Sequence, residues 1–423
     1  MPKTILLLAS GTRGDVQPYL ALGLGLQAAG YRTVVATHPS FRRAVESRGL
    51  VFAALDGNPS ELMTQMGEQP ALTYDGNWLR SARSTLSFVR HARPLYSRML
   101  ESAWQACQGA DALVVGLATT WGAHIAQALS VPCLWAFLQP FGRTHLFPSA
   151  LLPGRQSLGG LYNWFTYLLV EQAMWQPWRA VTNRWRKTLY LGSAPLAGPI
   201  PEAYRQGATF LYGYSPLVAS PPPDWPVGHY VTGYWFLPDL AAWSPPAKLE
   251  RFVGSGAPPV YIGFGSPGTP RPRETLQVVL RALLETGLRA VLSFPNQFLA
   301  GLTLPASIYP LEEVSHSWLF PRLAAIVHHG GAGTTGTGLR AGLPAVISPL
   351  AVDQFFWGER LSALGVAPPA IPQRALSVQK LAQALQQAVF DPGFSYCASQ
   401  LGQAIRNEDG VLSAVEIIRR QVE

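Results

Sequence analysis

Short apolar runs alternate with amphipathic stretches in the first third of the chain. The runs Ile5–Ala9, Thr33–Ala36, Ala112–Val115 and Cys133–Ala136 are almost continuously apolar, which is typical of strands buried on both faces of a parallel sheet. Helical spacing of apolar residues predicts helices over Leu20–Ala29, Phe41–Arg48 and Thr120–Leu129. This alternation predicts a doubly wound α/β domain with a parallel sheet.

The same alternation begins again after a proline-rich connector that lies between Pro221 and Pro246. Further strands are predicted over Val260–Phe264, Ala290–Phe294, Ala324–His328 and Ala345–Ser348, and helices over Glu274–Leu284, Gly336–Ala341, Val378–Val389 and Val411–Arg420. We therefore expect two Rossmann-like domains, residues 1–240 and 241–405, and a terminal helix within 406–423. A ligand cleft is expected between them, where the carboxyl ends of their strands face each other.

The segment Leu151–Leu191 differs from this alternation, because it has a helical pattern rich in tryptophan, and basic residues follow in its second half. One interpretation is a pair of long helices packed on the first domain. The other is a helix that faces a membrane or lines a substrate site, since tryptophan and basic side chains suit such an interface.

Composition narrows the class of protein further. Charged residues make up 13% of the 423 residues and hydrophobic residues 48%, a balance that excludes a disordered chain. The net charge of +8 comes from a shortage of acids and suits an anionic ligand or an anionic membrane surface. The sequence has no dense basic run, so no nucleic-acid partner is expected.

Cysteine usage and hydropathy together favour a cytoplasmic location. Cys107, Cys133 and Cys397 have the spacing of neither a disulfide framework nor a metal site, which favours a reducing compartment. The apolar run near the amino terminus is too short for a signal peptide, so we interpret it as a first buried strand. No run reaches the ~18 apolar residues of a membrane-spanning helix.

The strongest local motif is His-His-Gly-Gly-Ala-Gly-Thr-Thr-Gly at His328–Gly336, which follows a predicted strand and opens a predicted helix. Glycines allow a ligand to approach the backbone, and a helix amino terminus offers free N–H groups and a partial positive charge. The motif therefore indicates a phosphate or diphosphate site. A purely structural turn is the alternative.

Other chemistries are excluded by their motifs. No GxxxxGK[ST] motif occurs, so a P-loop nucleotidase is not expected. Gly263–Gly268 matches the dinucleotide-binding motif GxGxxG, but Pro267 and Pro270 interrupt the helix that should follow, and no acidic residue is placed to bind a ribose. We therefore consider the match accidental. Ser266 in this loop would still lie near a phosphate. The sequence has no Asp-x-Asp pair, no spaced metal ligands and no GxSxG motif, so neither a metal site nor an α/β-hydrolase is expected.

Together these motifs resemble a known family. His328–Thr335, Gly342-Leu343-Pro344 and Asp353–Gly358 resemble the donor-binding motif of family 1 glycosyltransferases with the GT-B fold. Gly11–Pro18 is similar to the start of a bacterial branch that resembles sterol glucosyltransferases and the glycopeptide-antibiotic and macrolide glycosyltransferases. Pro140-Phe141, Val231–Trp235 and Trp318–Pro321 extend the resemblance, which runs from about Lys3 to Arg420.

The resemblance implies an inverting, metal-independent transfer of a hexose, with glucose favoured, to a hydroxyl group of an apolar acceptor such as a sterol, a lipid or a polyphenol or polyketide. UDP-glucose is the favoured co-substrate and a TDP-sugar is the alternative; no further cofactor is implied. For the diphosphate, the implied residues are Ser266, His329, Gly331, Gly333 and Thr334. Asp353 and Gln354 would bind the sugar and the backbone at Val314 the base; Glu313 stands where plant members place a tryptophan. The terminal helix would cross back to the first domain.

Asp15 occupies the place at which many members carry a catalytic histidine. Its carboxylate would remove the proton of the acceptor hydroxyl, and burial under an apolar acceptor would raise its pKa toward that task. The alternative is that Asp15 caps a helix that begins at Val16, and both roles are compatible.

The remaining predictions concern the acceptor and the partners. Trp78, Phe88, Phe141, Phe147 and Trp164 lie in the half that the family uses for acceptors, although each could equally be a core residue. His38 either lines the cleft or is exposed in a loop, His124 is expected at a packed surface, and His145 in the acceptor wall. Residues 162–187 are a candidate for peripheral contact with the inner face of the membrane. The competing hypothesis is a nucleotide-sugar-binding protein without catalysis.

Overall fold

The computed structural model describes residues 2–57, 78–152, 156–240, 243–265, 268–312 and 314–423. In the helix that begins at Trp78, side chains are described from Val89 onward. The chain divides into two compact units, of which unit 1 comprises Met1–Leu237 and Asp409–Glu423 and unit 2 comprises Pro238–Glu408.

Unit 1 is built on a sheet of seven parallel strands in the order β3-β2-β1-β4-β5-β6-β7. The strands are β1 (Thr4–Leu8), β2 (Arg32–Thr37), β3 (Val51–Ala54), β4 (Ala112–Val115), β5 (Cys133–Phe137), β6 (Phe210–Tyr212) and β7 (His229–Val231). The strand order reverses between β1 and β4, which pair from Ile5 with Ala112 to Leu8 with Val115. In doubly wound sheets a ligand site is expected at the carboxyl ends of the strands beside such a reversal.

The helices of unit 1 are α1 (Arg13–Ala28), α2 (Arg42–Glu46), α3 (Trp78–Ala106), α4 (Gly122–Leu129), α5 (Gly160–Thr188) and α6 (Pro199–Arg205), together with the last helix of the chain, α15 (Gly410–Val422). This last helix packs on α1, and Ala414, Val415 and Ile418 belong to the buried cluster that surrounds the sheet. Gly25 of α1 permits the contact, because a Cβ atom there would lie 2.4 Å from Val411 Cγ1.

Unit 2 has a sheet of five parallel strands in the order β10-β9-β8-β11-β12. They are β8 (Val260–Gly263), β9 (Ala290–Ser293), β10 (Ile308–Leu311), β11 (Ala325–His328) and β12 (Ala345–Ile347). The helices are α7 (Ala247–Gly254), α8 (Pro272–Thr286), α9 (Asn296–Leu299), α10 (His316–Leu319), α11 (Ala332–Arg340), α12 (Gln354–Ala363), α13 (Val378–Phe390) and α14 (Pro392–Arg406). The predicted class, two doubly wound α/β domains, is therefore confirmed.

Several predicted elements need correction. Helix α1 begins at Arg13, seven residues before the predicted start at Leu20, and includes Pro18. The segment predicted as a helix pair contains one helix, α5, of 29 residues. It packs along α3 through the Tyr96–Trp178 ring stack, with centroids 4.8 Å apart, which supplies tertiary support along a helix interrupted by Pro177.

Candidate functional site

Asp15 lies in the first turn of α1, directly after the carboxyl end of β1. Thr12 precedes the helix, and both its backbone N–H and its hydroxyl donate hydrogen bonds to Asp15 Oδ2, at 2.7 and 2.9 Å. The bond from the Thr12 N–H group is the side-chain half of a capping box, in which Asp15 is the third helical residue. The alternative of a cap before a helix starting at Val16 is wrong in position, although the capping role itself is present.

The turn beneath Asp15 requires glycine at position 11. Gly11 has φ of +131°, and a Cβ atom there would lie 2.5 Å from Asp15 Oδ2. A side chain at this position would therefore both strain the backbone and displace the carboxylate. Both hydrogen bonds from Thr12 end on Oδ2, so Oδ1 is the oxygen left to receive a proton from a substrate.

A pocket of about 80 Å³ adjoins Asp15, at the carboxyl ends of β1, β4 and β5. Tyr19 lies in its wall and donates a hydrogen bond from its hydroxyl to the Ala136 carbonyl oxygen at 2.6 Å. Gly116 makes room for this contact, since a Cβ atom there would lie 2.3 Å from the Tyr19 hydroxyl. The pocket therefore lies at the reversal of strand order, where a ligand is expected.

The electrostatic surroundings suit Asp15 to proton transfer. Part of the Asp15 side chain is exposed at the surface. Many protein atoms nevertheless surround the carboxylate, and this desolvation raises its pKa. The hydrogen bonds from Thr12 act in the opposite direction and lower the pKa, with the smaller effect. A carboxylate with a raised pKa is a stronger base, as general-base catalysis requires.

In unit 2, the glycine-rich loop connects β11 to α11, as the sequence predicted. Helix α11 begins at Ala332 after Gly331, and the N–H groups of its first turn have no partners within the helix. Thr334 in this turn is half-exposed, and a Cβ atom at Gly333 would meet no atom within 4 Å. The helix amino terminus is therefore accessible to an anion.

The ring of His329 lies in a socket formed by two glycines. A Cβ atom at Gly265 would lie 2.3 Å from its Cε1 atom, and one at Gly331 would lie 2.5 Å from its Nε2 atom. Burial lowers the pKa of His329 to about 4, so the ring is neutral near pH 7. It can therefore offer a ligand an uncharged N–H donor.

His328 shapes the same loop and was not among the predicted site residues. It is fully buried, and its Nδ1 atom accepts a hydrogen bond from the Gly330 N–H group at 3.1 Å. Gly330 has φ of +90°, and a Cβ atom there would lie 2.9 Å from the Gln354 carbonyl oxygen. The loop is therefore packed tightly against the start of α12.

The predicted sugar-binding residues begin α12 and are held by hydrogen bonds. Gln354 Oε1 accepts from the backbone N–H groups of Leu350 and Ala351, at 2.7 and 3.1 Å. Asp353 Oδ2 accepts from Trp357 Nε1 at 2.9 Å. Val352, which precedes them, has φ of +52°, a strained conformation for a β-branched residue. The structure thus places the loop that carries His329, Gly331, Gly333 and Thr334 against the start of α12, where Asp353 and Gln354 lie.

The predicted base-binding segment is anchored by a residue that the sequence did not indicate. Val314 is buried and precedes Ser315, the residue that caps α10. The Ser315 hydroxyl lies 2.7 Å from both carboxylate oxygens of Asp239, and Ser317 also donates to that carboxylate. Ser266 and Glu313 lie outside the described residues.

The predicted acceptor aromatics have different environments. Phe141 is 1% exposed and packs against Phe137, with ring centroids 4.9 Å apart, so it belongs to the core. Phe147 is half-buried, and half-buried Trp164 stacks on His145 with ring centroids 6.4 Å apart. The side chains of Trp78 and Phe88 lie outside the described residues.

Two histidines are buried. The exposed alternative for His38 is therefore wrong, and so is the surface position expected for His124. His38 is fully buried, with Nε2 2.8 Å from Ser10 Oγ. His124 is 3% exposed and contacts the Arg186 guanidinium, and burial lowers its pKa to about 3. Both histidines are held by partners that are distant in sequence, so the local sequence pattern could not predict their environments.

Within the described ranges of the chain, no group of three or more His, Cys, Asp or Glu side chains is placed to hold a metal ion. Within the same ranges, no helix has the length and hydropathy needed to cross a bilayer.

Comparison with known proteins agrees with this architecture. The sequence model of the glycosyltransferase family 28 N-terminal domain matches residues 5–148. That of the erythromycin biosynthesis protein CIII-like C-terminal domain matches residues 277–414. The sterol 3-beta-glucosyltransferase of Emericella nidulans is 39% identical over an alignment that covers 100% of this chain and 30% of the relative. The chain therefore spans less than a third of that fungal protein.

Solved structures show the same fold. The glycotransferase of kitacinnamycin is 20% identical, with a TM-score of 0.71 and 100% of both chains covered. The glycosyltransferase VinC, whose structure is in complex with DTDP, is 20% identical, with a TM-score of 0.65 and 99% of both chains covered. Two doubly wound domains and these structural matches define the GT-B fold of glycosyltransferases. Within that fold, the chain is similar to the two family models and to the sterol 3-beta-glucosyltransferase named above.

Proposed function

We propose that the chain transfers a hexose, with glucose favoured, from a UDP-sugar to a hydroxyl group of an apolar acceptor, with inversion and without a metal ion. The observation that carries this proposal is the Asp15 carboxylate, which is held through one oxygen in a pocket at the reversal of strand order. A nucleotide-sugar-binding protein would have no use for a base at this position.

In the proposed reaction, Asp15 Oδ1 removes the proton of the acceptor hydroxyl while its oxygen attacks the anomeric carbon of the sugar. The bond from that carbon to the diphosphate breaks on the opposite side, and UDP leaves with the electron pair. The partial positive charge at the start of α11 and the neutral N–H of His329 stabilise the developing negative charge. A single displacement of this kind inverts the anomeric configuration.

The proposed donor site lies in unit 2. Ser266, His329, Gly331, Gly333 and Thr334 would bind the diphosphate, Asp353 and Gln354 the sugar, and the backbone at Val314 the base. Supporting this assignment, Gln354 uses its side-chain oxygen on the backbone, which leaves its amide N–H groups for sugar hydroxyls. A TDP-sugar is the alternative donor, and the DTDP complex of VinC makes it worth testing.

A sterol is the first acceptor to test, because the fungal relative is a sterol 3-beta-glucosyltransferase. Because the chain spans only 30% of that relative, a sterol acceptor is a proposal for this chain. Lipids, polyphenols and polyketides are the alternatives, and Phe147 and Trp164 are the half-buried aromatics available to contact them. The expected bacterial origin also stays a prediction, since this relative is fungal.

An apolar acceptor would be drawn from a membrane, and we propose peripheral contact through residues 162–187 at the inner face of the membrane, in an otherwise cytoplasmic protein. Leu161, Phe165 and Leu169 of α5 are 82%, 50% and 49% exposed and are spaced four residues apart, so they form one apolar row. Arg184 and Lys187 are exposed further along the helix. Exposed apolar and basic residues on one helix suit an anionic bilayer surface.

The proposal is tested by incubating the wild type, Asp15→Asn and Asp391→Asn with UDP-glucose and a panel of sterols and polyphenols in the presence of EDTA. Asp391 is the matched control, because it also begins a helix and accepts a backbone hydrogen bond, at 2.8 Å. We expect a product heavier by one hexose in the wild type and the control, and its loss in Asp15→Asn. The anomeric proton coupling of the product then reports inversion.

Two results would redirect the proposal. Binding of UDP-glucose without turnover in any variant would favour the nucleotide-sugar-binding protein. Undiminished product from Asp15→Asn would limit Asp15 to its role in the capping box and require another base.

A further inference from the structure

Two hydroxyl groups in the wall of the pocket beside Asp15 donate their protons to main-chain carbonyl groups. Tyr19 donates to the Ala136 oxygen at 2.6 Å, and Thr119 donates to the Leu8 oxygen at 2.9 Å. Both residues are buried, at 3% and 0% exposure. Because each hydroxyl has a single proton, these two groups have only lone pairs left for a ligand in the pocket.

Ser10 is the third hydroxyl residue of the pocket lining, and it contacts a buried histidine. Its Oγ atom lies 2.8 Å from His38 Nε2, and His38 Nδ1 lies 3.2 Å from the Leu55 carbonyl oxygen. A carbonyl oxygen only accepts, so Nδ1 carries the ring proton in the neutral imidazole. Nε2 is then an acceptor, and the Ser10 hydroxyl donates to it in preference to Met99 Sδ, a weaker acceptor 3.9 Å away.

The three residues owe their alignment to the sheet. Ser10, His38 and Leu55 follow β1, β2 and β3, which are neighbouring parallel strands. Their carboxyl ends therefore lie side by side, and the hydrogen bonds run along the edge of the sheet away from the pocket. Ser10 is 4% exposed and His38 is fully buried, so water does not compete for this pair of contacts.

We infer that His38 is a positioning residue that holds the Ser10 proton away from the pocket, so that the hydroxyl groups of the pocket accept hydrogen bonds and do not donate them. This inference rests on the proposed function. In such a pocket the reacting hydroxyl must act as the donor, with its proton on Asp15 and a lone pair directed to the anomeric carbon. A Ser10 proton turned into the pocket would occupy that lone pair or the Asp15 carboxylate, and either contact would slow the attack.

The consequence for substrates is a preference for groups that donate. A hydroxyl group or an amine can donate to the remaining lone pairs of these hydroxyl oxygens or to the carboxylate, whereas an ether or an ester at the same position can donate to neither. A methyl ether of the acceptor is therefore expected to compete poorly with its parent alcohol.

The test is a double-mutant comparison of kcat and of the acceptor KM. His38→Leu removes the acceptor of the Ser10 proton, and we expect kcat to fall by about 10-fold with little change in KM, the size of one misplaced hydrogen bond. Ser10→Ala combined with His38→Leu removes the freed proton as well, and is expected to recover most of the lost kcat. His38→Gln, whose amide oxygen still accepts, is expected to remain close to the wild type.

Equal losses in His38→Leu and in the double variant would overturn the inference, because His38 would then act only by packing. A second measurement is independent of turnover and of the folding of His38→Leu. The ¹⁵N NMR signals of the labelled imidazole, assigned by difference from His38→Gln, are expected to show a protonated Nδ1 and an unprotonated Nε2. The opposite tautomer would also overturn the inference. If the protein shows the expected tautomer but transfers no sugar, the placement of the Ser10 proton is supported and the proposed function is refuted.

Discussion

Asp15 combines a structural role with a chemical one, because its two carboxylate oxygens have different environments. Oδ2 accepts both hydrogen bonds from Thr12 and so fixes the start of α1. The sequence motif Gly11–Pro18 was enough to single out Asp15, since the motif places it after a buried strand. The sequence could not predict that Oδ2 accepts the bonds from Thr12 while Oδ1 stays available to a substrate, because this depends on where α1 begins.

The raised pKa of Asp15 predicts a stability difference with a defined sign. A carboxyl group with a raised pKa in the folded state favours folding when protonated, and this contribution is lost as the pH rises from its ordinary pKa of about 4 through the raised value. Asn resembles the protonated form and keeps an oxygen for Thr12. Asp15→Asn should therefore melt at a temperature equal to or above that of the wild type at pH 7.

The check is calorimetry across pH. The difference in melting temperature between Asp15→Asn and the wild type should shrink as the pH falls through the raised pKa of Asp15 toward about 4. A lower melting temperature for Asp15→Asn at pH 7 would mean that the capping contact outweighs the cost of the desolvated charge.

His329 gives a prediction about donor affinity. With a pKa of about 4 the ring stays neutral from pH 5.5 to 8, so its contact with the diphosphate should not titrate in that range. UDP-glucose is the appropriate ligand, because its diphosphate is fully ionised throughout. We expect the dissociation constant of UDP-glucose to be independent of pH over this range. In His329→Ala it should rise roughly 10- to 100-fold, which corresponds to the loss of a hydrogen bond to a charged group. Calorimetric titration measures both.

At the scale of elements, the socket around His329 depends on the absence of side chains rather than on their presence. Gly331 has φ of −64°, which an alanine adopts freely, so a methyl group there would act only by colliding with the imidazole ring. Gly333, two residues later, faces open space. The two positions make a matched pair for separating steric from conformational effects.

Gly331→Ala should lower both the melting temperature of the free protein and its affinity for UDP-glucose, because it displaces His329. Gly333→Ala should leave the melting temperature unchanged or raise it, since alanine is favoured over glycine in a helix by up to about 1 kcal/mol. Thermal denaturation of the free protein and calorimetric titration provide the comparison. Equal melting temperatures for the two variants would contradict the proposed socket.

The elements that the sequence did not predict share physical causes. β6 and β7 have three residues each, too few to show a period, and they are recognised only by their pairing with neighbours. Residues 151–191 were expected to form a pair of helices, yet α5 continues through Pro177 as one helix packed on α3. Strongly periodic or fully apolar segments such as β1 and α13 were predicted close to their observed bounds.

For the molecule as a whole, the alternating pattern was sufficient to predict two doubly wound domains. Candidate site residues could be proposed from the sequence where they stand in consecutive motifs, as at His329 or Gln354. The site was not predictable where distant segments meet, as with Asp239 and Ser315, which are 76 residues apart. Side-chain hydrogen bonds between distant segments do not produce a periodic pattern in the sequence.

The proposed membrane contact predicts a specific loss of vesicle binding. Changing Leu161, Phe165 and Leu169 together to serine should reduce sedimentation with anionic vesicles while leaving transfer to a water-soluble acceptor intact. The matched control changes Leu284, Leu302 and Phe390 to serine, since these residues of unit 2 are similarly exposed, at 65%, 49% and 67%. Equal sedimentation of the two triple variants would argue against contact through α5.

The return of α15 to unit 1 has a consequence for how the protein is made. A ribosome adds residues in order, so the sheet of unit 1 and all of unit 2 are synthesised before the residues of α15. Until then, the face of α1 that receives Val411 and Val415 has no cover. Unit 2, which is continuous in sequence, can finish folding while unit 1 is still incomplete. The first domain to be translated is therefore the last to be completed, and its uncovered helix is the surface on which a nascent-chain chaperone would act.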